Sequence, residues 1–156
     1  MKKFILSIFA LAAVTAVSAQ KNFVKNGGFE EGIEGWSVYS NMNNVHVVKS
    51  NAHSGTASLD MRGGCEQQIQ LPQGKYRLTV WANYVRGEEI VLSLREREKG
   101  GWTFPVIQRV VMNQQGYNKY VMKFKVKEEK NDYKIMFGCK NNQGQIFIDD
   151  VMVEKL

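Results

Sequence analysis

From residue 37 onward, apolar side chains recur at every second position. In Tyr76-Arg77-Leu78-Thr79-Val80-Trp81-Ala82-Asn83-Tyr84, the residues Tyr76, Leu78, Val80 and Ala82 share one face. Ile90, Leu92 and Leu94 do the same, with Ser93 and Arg95 directed to the other side. The runs Tyr120–Val126 and Tyr133–Cys139 repeat the habit, and in the latter Ile135, Phe137 and Cys139 oppose Lys134. A period of two, filled by β-branched and aromatic residues, predicts half-buried strands. The breaks are turn-formers: Gly63-Gly64, Pro72-Gln73-Gly74, Arg86-Gly87, Lys99-Gly100-Gly101, Gln115-Gly116 and Asn141-Asn142-Gln143-Gly144. No stretch has a period of 3.6. The spacing predicts about nine or ten short strands, hence an all-β, two-sheet antiparallel sandwich.

Two segments say more than alternation does. In Asn26-Gly27-Gly28-Phe29-Glu30-Glu31-Gly32-Ile33-Glu34-Gly35-Trp36, glycines permit tightly folded backbone, and Phe29 and Trp36 are spaced to pin the loop onto a core. Trp36 is expected in that core. The last strand contains Ile148-Asp149-Asp150-Val151. Neighbouring residues of a strand face opposite sides, so one aspartate must point inward. A buried carboxylate needs a partner. A hard cation with oxygen ligands, Ca²⁺ outside the cell, would serve. Hydrogen bonds from loop amides or a lysine would serve as well.

The first twenty residues set the compartment. Lys2 and Lys3, the apolar stretch Phe4–Val17 and the small residues Val17-Ser18-Ala19 form a cleavable secretory signal over 1–19. The apolar run is too short for a comfortable membrane span. No cysteine follows the cleavage site, so the lipoprotein route is not indicated. The expectation is a secreted or periplasmic protein, with 20–156 as one domain. The net charge of +6 falls to +4 without the two signal lysines. The basic residues are scattered, and Arg95, Arg97 and Lys99 alternate with Glu96 and Glu98, which is expected to cancel the local field. Nucleic acid is therefore not an expected partner. No second apolar segment suggests a membrane span in the mature chain. Cys65 and Cys139 either close one disulfide or are two buried thiols. His46 and His53 show no ligand-like pairing with them.

These segments resemble a known family. Asn26-Gly27-Gly28-Phe29-Glu30 with Gly35-Trp36 is similar to the opening of carbohydrate-binding modules of families four, nine and twenty-two. The same holds for His53-Ser54-Gly55-Thr56-Ala57-Ser58-Leu59, for the turn and strand Leu71–Leu78, and for Ile148-Asp149-Asp150-Val151. They occur in the family's order. The resemblance implies a galactose-binding-domain-like jelly roll. It also implies a structural calcium where the first loop meets the last strand. By position, Glu30 and Asp149 would be side-chain ligands and Gly28 a carbonyl ligand.

A sugar site needs exposed rings for C–H faces and planar polar groups for hydroxyls. Tyr39 stands where the family can place a stacking tyrosine. Trp102, in a loop expected over Lys99–Phe104, and Trp81, on the outward side of its strand, are the other rings. Arg95 faces away from the core and is able to donate to vicinal hydroxyls. Gln68 and Lys134 share that outward parity. Catalysis is not expected. The carboxylates that a glycosidase would need are accounted for by the calcium reading, and no Gly-x-Ser-x-Gly or His-Glu-x-x-His segment occurs. The expected partner is a poly- or oligosaccharide, with a glycoside hydrolase joined non-covalently as one setting, since no catalytic domain follows. The alternative is a jelly roll serving protein–protein interaction.

Overall fold

The computed structural model describes residues 20–39, 44–86, 89–139 and 144–156, with Lys130 and Asn131 as backbone only. The signal expected over 1–19, and parts of the turns expected at Arg86-Gly87 and Asn141-Asn142-Gln143-Gly144, lie outside the described residues. Ten strands follow one another: β1 (Ser37–Val38), β2 (Val45–Val48), β3 (Ser58–Met61), β4 (Gly64–Leu71), β5 (Gly74–Arg86), β6 (Glu89–Glu98), β7 (Gly101–Val111), β8 (Tyr117–Val126), β9 (Lys130–Cys139) and β10 (Gln145–Lys155). No α-helix occurs among the described residues.

The strands form two five-stranded sheets, ordered β1-β4-β9-β6-β7 and β2-β3-β10-β5-β8, with every pairing antiparallel. This is the jelly-roll sandwich expected from the alternation. Between the sheets lie Cys65, Ile69, Leu71, Ile90, Leu92, Leu94, Ile135 and Phe137 from the first, facing Leu59, Met61, Leu78, Val80, Met122, Ile146 and Ile148 from the second. Burying such side chains contributes roughly 1.5–3 kcal/mol each. Cys65 and Cys139 are both buried and unbonded.

Two departures from strict alternation matter. In β10, Ile146 and Ile148 are buried, and so are Asp149, Val151 and Val153. The inward face changes phase between Ile148 and Asp149. The register shifts there, and Asp150 has φ of 45°, a left-handed bulge residue that aspartate tolerates. In β7, Trp102 lies within the strand opposite Arg97, not in a loop over Lys99–Phe104. β7 is an edge strand whose inner face, with Val106 and Val110, is only partly buried, and apolar Phe104, Ile107 and Val111 on exposed positions blur its alternation.

The first loop is stapled to this frame. The Gly27 carbonyl accepts the Val151 amide at 2.9 Å, and a Cβ on Gly27 would stand 2.1 Å from the Val151 carbonyl oxygen. Only glycine fits there. Trp36 is buried against Phe29 and Phe137, with ring centroids 5.4 and 5.2 Å away, and its indole N–H donates to the Asn26 carbonyl. It is a core residue, as expected.

Candidate functional site

The outer face of the first sheet collects three of the four residues singled out for a sugar. Strand parity turns Gly64, Glu66 and Gln68 of β4, Lys134, Met136 and Gly138 of β9, and Val91, Ser93 and Arg95 of β6 away from the core. Gln68, Lys134 and Arg95 are register partners and form one row across three strands. Behind that row Glu66 is buried, its two oxygens taking Lys134 Nζ at 2.5 Å and Arg95 Nη1 at 2.8 Å. Glu66 fixes both long side chains, so each is presented with most of its rotamer freedom already lost.

Trp102 closes the row on the β7 side. Its ring centroid lies 5.2 Å from the Arg95 guanidinium, 5.6 Å from that of Arg97 and 4.8 Å from Lys134 Nζ. Arg95 also lies 5.1 Å from the Phe104 ring. Contacts of this kind contribute about 0.5–1 kcal/mol each at partly exposed sites. The charges do not cancel here as their order along the chain suggests. Alternation sends Arg95 and Arg97 to the Trp102 side, while Glu96 points inward, where its Oε1 is 3.4 Å from the Tyr133 hydroxyl. A mixed sequence thus becomes a face on which Arg95, Arg97 and Lys134 outnumber Glu66 and Asp132.

Tyr39 occupies the other end of the same face. Gly64 and Gly138 are register partners, and a Cβ on either would collide with the tyrosine, at 1.9 and 2.6 Å from its hydroxyl oxygen. The ring therefore lies across a glycine pair, and its hydroxyl donates to the Phe137 carbonyl at 3.0 Å. The ring remains 44 % exposed. Burial pushes the hydroxyl's pKa well above the usual phenol value. From the Gly138 row to the Lys134 row is four residues along β9, about 13 Å at strand rise.

Trp81 does not join them. It lies on the outer side of the second sheet, stacked at 3.9 Å on His53, whose Nδ1 is 2.6 Å from an Asp150 carboxylate oxygen. Glu66 and Arg97 were not among the site candidates. The available signals were the outward parity of Glu66, between Cys65 and Gln67, and that of Arg97, two residues after Arg95; the burial of Glu66 depends on packing against β6 and β9.

The three residues named for calcium gather at the first loop and the last strand. Glu30 accepts the Thr56 and Ala57 amides and the Thr56 hydroxyl at 2.7–2.9 Å. These bonds, the hydroxyl first, hold its carboxyl below the usual range. Asp149 accepts the His53, Ser54 and Asp150 amides at 2.7–3.1 Å, while burial, the larger effect, pushes its carboxyl up. A Cβ built on Gly28 would stand 3.8 Å from Asp149 Oδ1. The segment His53–Ala57 thus supplies the amides that hold both carboxylates.

Residues 21–143 match the family model described as carbohydrate binding domain. Among solved structures, a family 16 carbohydrate-binding module has a TM-score of 0.69 at 18 % identity, covering 86 % of this chain and 100 % of that one. A family 61 module in complex with β-1,4-galactotriose has a TM-score of 0.64 at 25 % identity, covering 87 % and 99 %. The CBM22-1 xylan-binding domain of Xyn10C from Paenibacillus barcinonensis has a TM-score of 0.65 at 16 % identity, covering 90 % and 97 %. No curated protein matches the chain.

Proposed function

The chain belongs to the carbohydrate binding domain family, and from that premise we propose that it is an exported, non-catalytic module holding an oligo- or polysaccharide on the outer face of its first sheet. The observation that carries this reading is the pair of rings, Tyr39 and Trp102, at the two ends of one face with the row Gln68-Lys134-Arg95 between them. Sugar C–H faces would stack on the rings, and the row would donate to ring hydroxyls. No bond is made or broken. Joined non-covalently to a glycoside hydrolase, such a module would hold that enzyme on its polymer.

A structural Ca²⁺ at the loop–strand junction is part of the proposal. Its support is an oxygen-only donor set. Glu30 and Asp149 each take three hydrogen bonds, and a carboxylate has about four acceptor positions, so each keeps capacity for a metal. Among the described residues no group of three or more His, Cys, Asp or Glu is arranged around a metal, so carbonyls such as that of Gly28 would complete the shell. The ion would neutralise the buried Asp149 charge and tie the two ends of the domain together.

The rival reading, a protein-interaction surface, has one observation on its side: Phe104, Ile107 and Val111 are exposed along the edge strand β7. A glycan array read with wild type and Trp102→Ala decides between them. The sugar reading expects retention by at least one glycan chain, weakened about tenfold in the variant. Absence of binding across a broad panel, with both proteins folded, refutes it in favour of the protein partner.

A further inference from the structure

We propose that the glycan bound on this face is acidic, carrying carboxylate or sulfate groups on its sugar units. The inference rests on the reading of the face as a glycan site and adds its chemical class.

Three cations, Arg95, Arg97 and Lys134, surround the Trp102 ring within 5.6 Å of its centroid, against two carboxylates on the face, Glu66 paired with Arg95 and Lys134, and Asp132 beside Gln68. Glu66 is buried beneath the row, so an incoming ligand meets the cations before that anion. Neighbouring acids restore the balance only in part. Glu96 is directed inward to Tyr133, while Asp132, on the face beside Gln68, keeps its charge and offsets one cation. A neutral sugar offers these cations only its hydroxyl oxygens as hydrogen-bond acceptors, which return part of the cost of desolvating them. An anionic group returns that cost through charge-assisted hydrogen bonds, for which a guanidinium fork is well matched to carboxylate or sulfate oxygens.

Positive charge recurs past the row. Gln68 also lines an open groove of about 650 Å³ between β4 and the N-terminal segment, to which Lys21 and Lys25 contribute. One acid, Glu129, lies in it, 3.4 Å from the Gln70 amide. The groove lysines and the Lys134, Arg95 and Arg97 group lie on either side of the neutral Gln68, which bonds Asp132. Two such groups suit several charged units of a chain, rather than one anion.

The test is titration calorimetry with two matched pairs, alginate against its carboxyl-reduced form and dextran sulfate against dextran, at low and high salt. A single-stranded oligo-dT serves as a further polyanion. The expected result is tighter binding of one or both acidic polymers than of their neutral partners, weakened by salt. The pair that responds identifies the anionic group. Arg97→Gln, an exposed position, should weaken acidic binding by about fivefold. Lys119→Gln, on the second sheet, should leave it unchanged. Equal affinity for acidic and neutral partners, with no salt dependence, overturns this inference and leaves the glycan reading standing. Equal losses in Arg97→Gln and Lys119→Gln, or oligo-dT bound as well as the acidic glycans, show unspecific charge attraction and also overturn it. Failure to bind these polymers or any glycan of the array removes the glycan reading itself.

Discussion

Gly64→Ala tests the placement of Tyr39 without touching the tyrosine. The new methyl would stand 1.9 Å from the Tyr39 hydroxyl oxygen and 2.0 Å from its Cζ, against an ordinary contact of about 3.5–4.0 Å between carbons. The ring must therefore move by more than 1 Å and leave the glycine pair. It then loses the hydrogen bond to the Phe137 carbonyl, a net cost of about 0.5–1.5 kcal/mol. Alanine in a strand recovers about 0.5–1 kcal/mol relative to glycine, because Gly64 has no positive φ that would strain it. The two nearly offset, so global stability by urea unfolding should change by less than about 1 kcal/mol.

The sharper assay is a double-mutant cycle with Tyr39→Phe, which removes only the hydroxyl. It should cost about 1 kcal/mol in the wild type and close to nothing in the Gly64→Ala background. Alkaline titration followed by phenolate absorbance gives an independent readout. In the wild type Tyr39 resists ionisation well past pH 10, and in Gly64→Ala it should titrate near the ordinary phenol value of 10.0. Because the folded pKa is raised, the native state holds this proton more tightly than the unfolded chain. The stability it contributes is complete below about pH 10 and falls as pH climbs toward the folded value. A full coupling energy retained in Gly64→Ala, with an unchanged titration, would show that the ring does not depend on the glycine pair and refute the placement.

Two other tests use simple reagents. If calcium ties the loop to the last strand, a chelator should lower Tm by roughly 10 °C, for saturation near a hundred times Kd, and Asp149→Asn should abolish the difference; identical melting curves with and without chelator would remove the metal. Burial pushes the Cys139 thiol up to about 12 and Cys65 well above its ordinary value, so a disulfide-exchange colorimetric reagent at neutral pH should label neither in the native state and both after unfolding. Rapid native labelling, or no free thiol after unfolding, would contradict two buried thiols.

Much of this protein is written in its residue order. Period-two alternation marks which side of β5, β6 and β9 turns inward, because side-chain direction in a strand is local and needs no partner. One of Asp149 and Asp150 had to face the core, but it is the bulge at Asp150, not the parity of Ile146 and Ile148, that made it Asp149. The outward directions of Arg95, Gln68 and Lys134 were legible from parity. Their meeting in one row was not, since it depends on pairing strands whose residues are as far apart in sequence as Gln68 and Lys134. Tertiary pairing alone put Tyr39 and Trp102 on the first sheet and Trp81 on the second. It also placed Trp102 in an edge strand whose exposed apolar residues blur the alternation. Parity alone set Arg95 and Arg97 opposite Glu96, and tertiary pairing decided which partners each of them met. Along the chain these charges alternate and cancel, but the pleat directs odd and even positions to opposite sides, and only packing decides which of them meet the solvent.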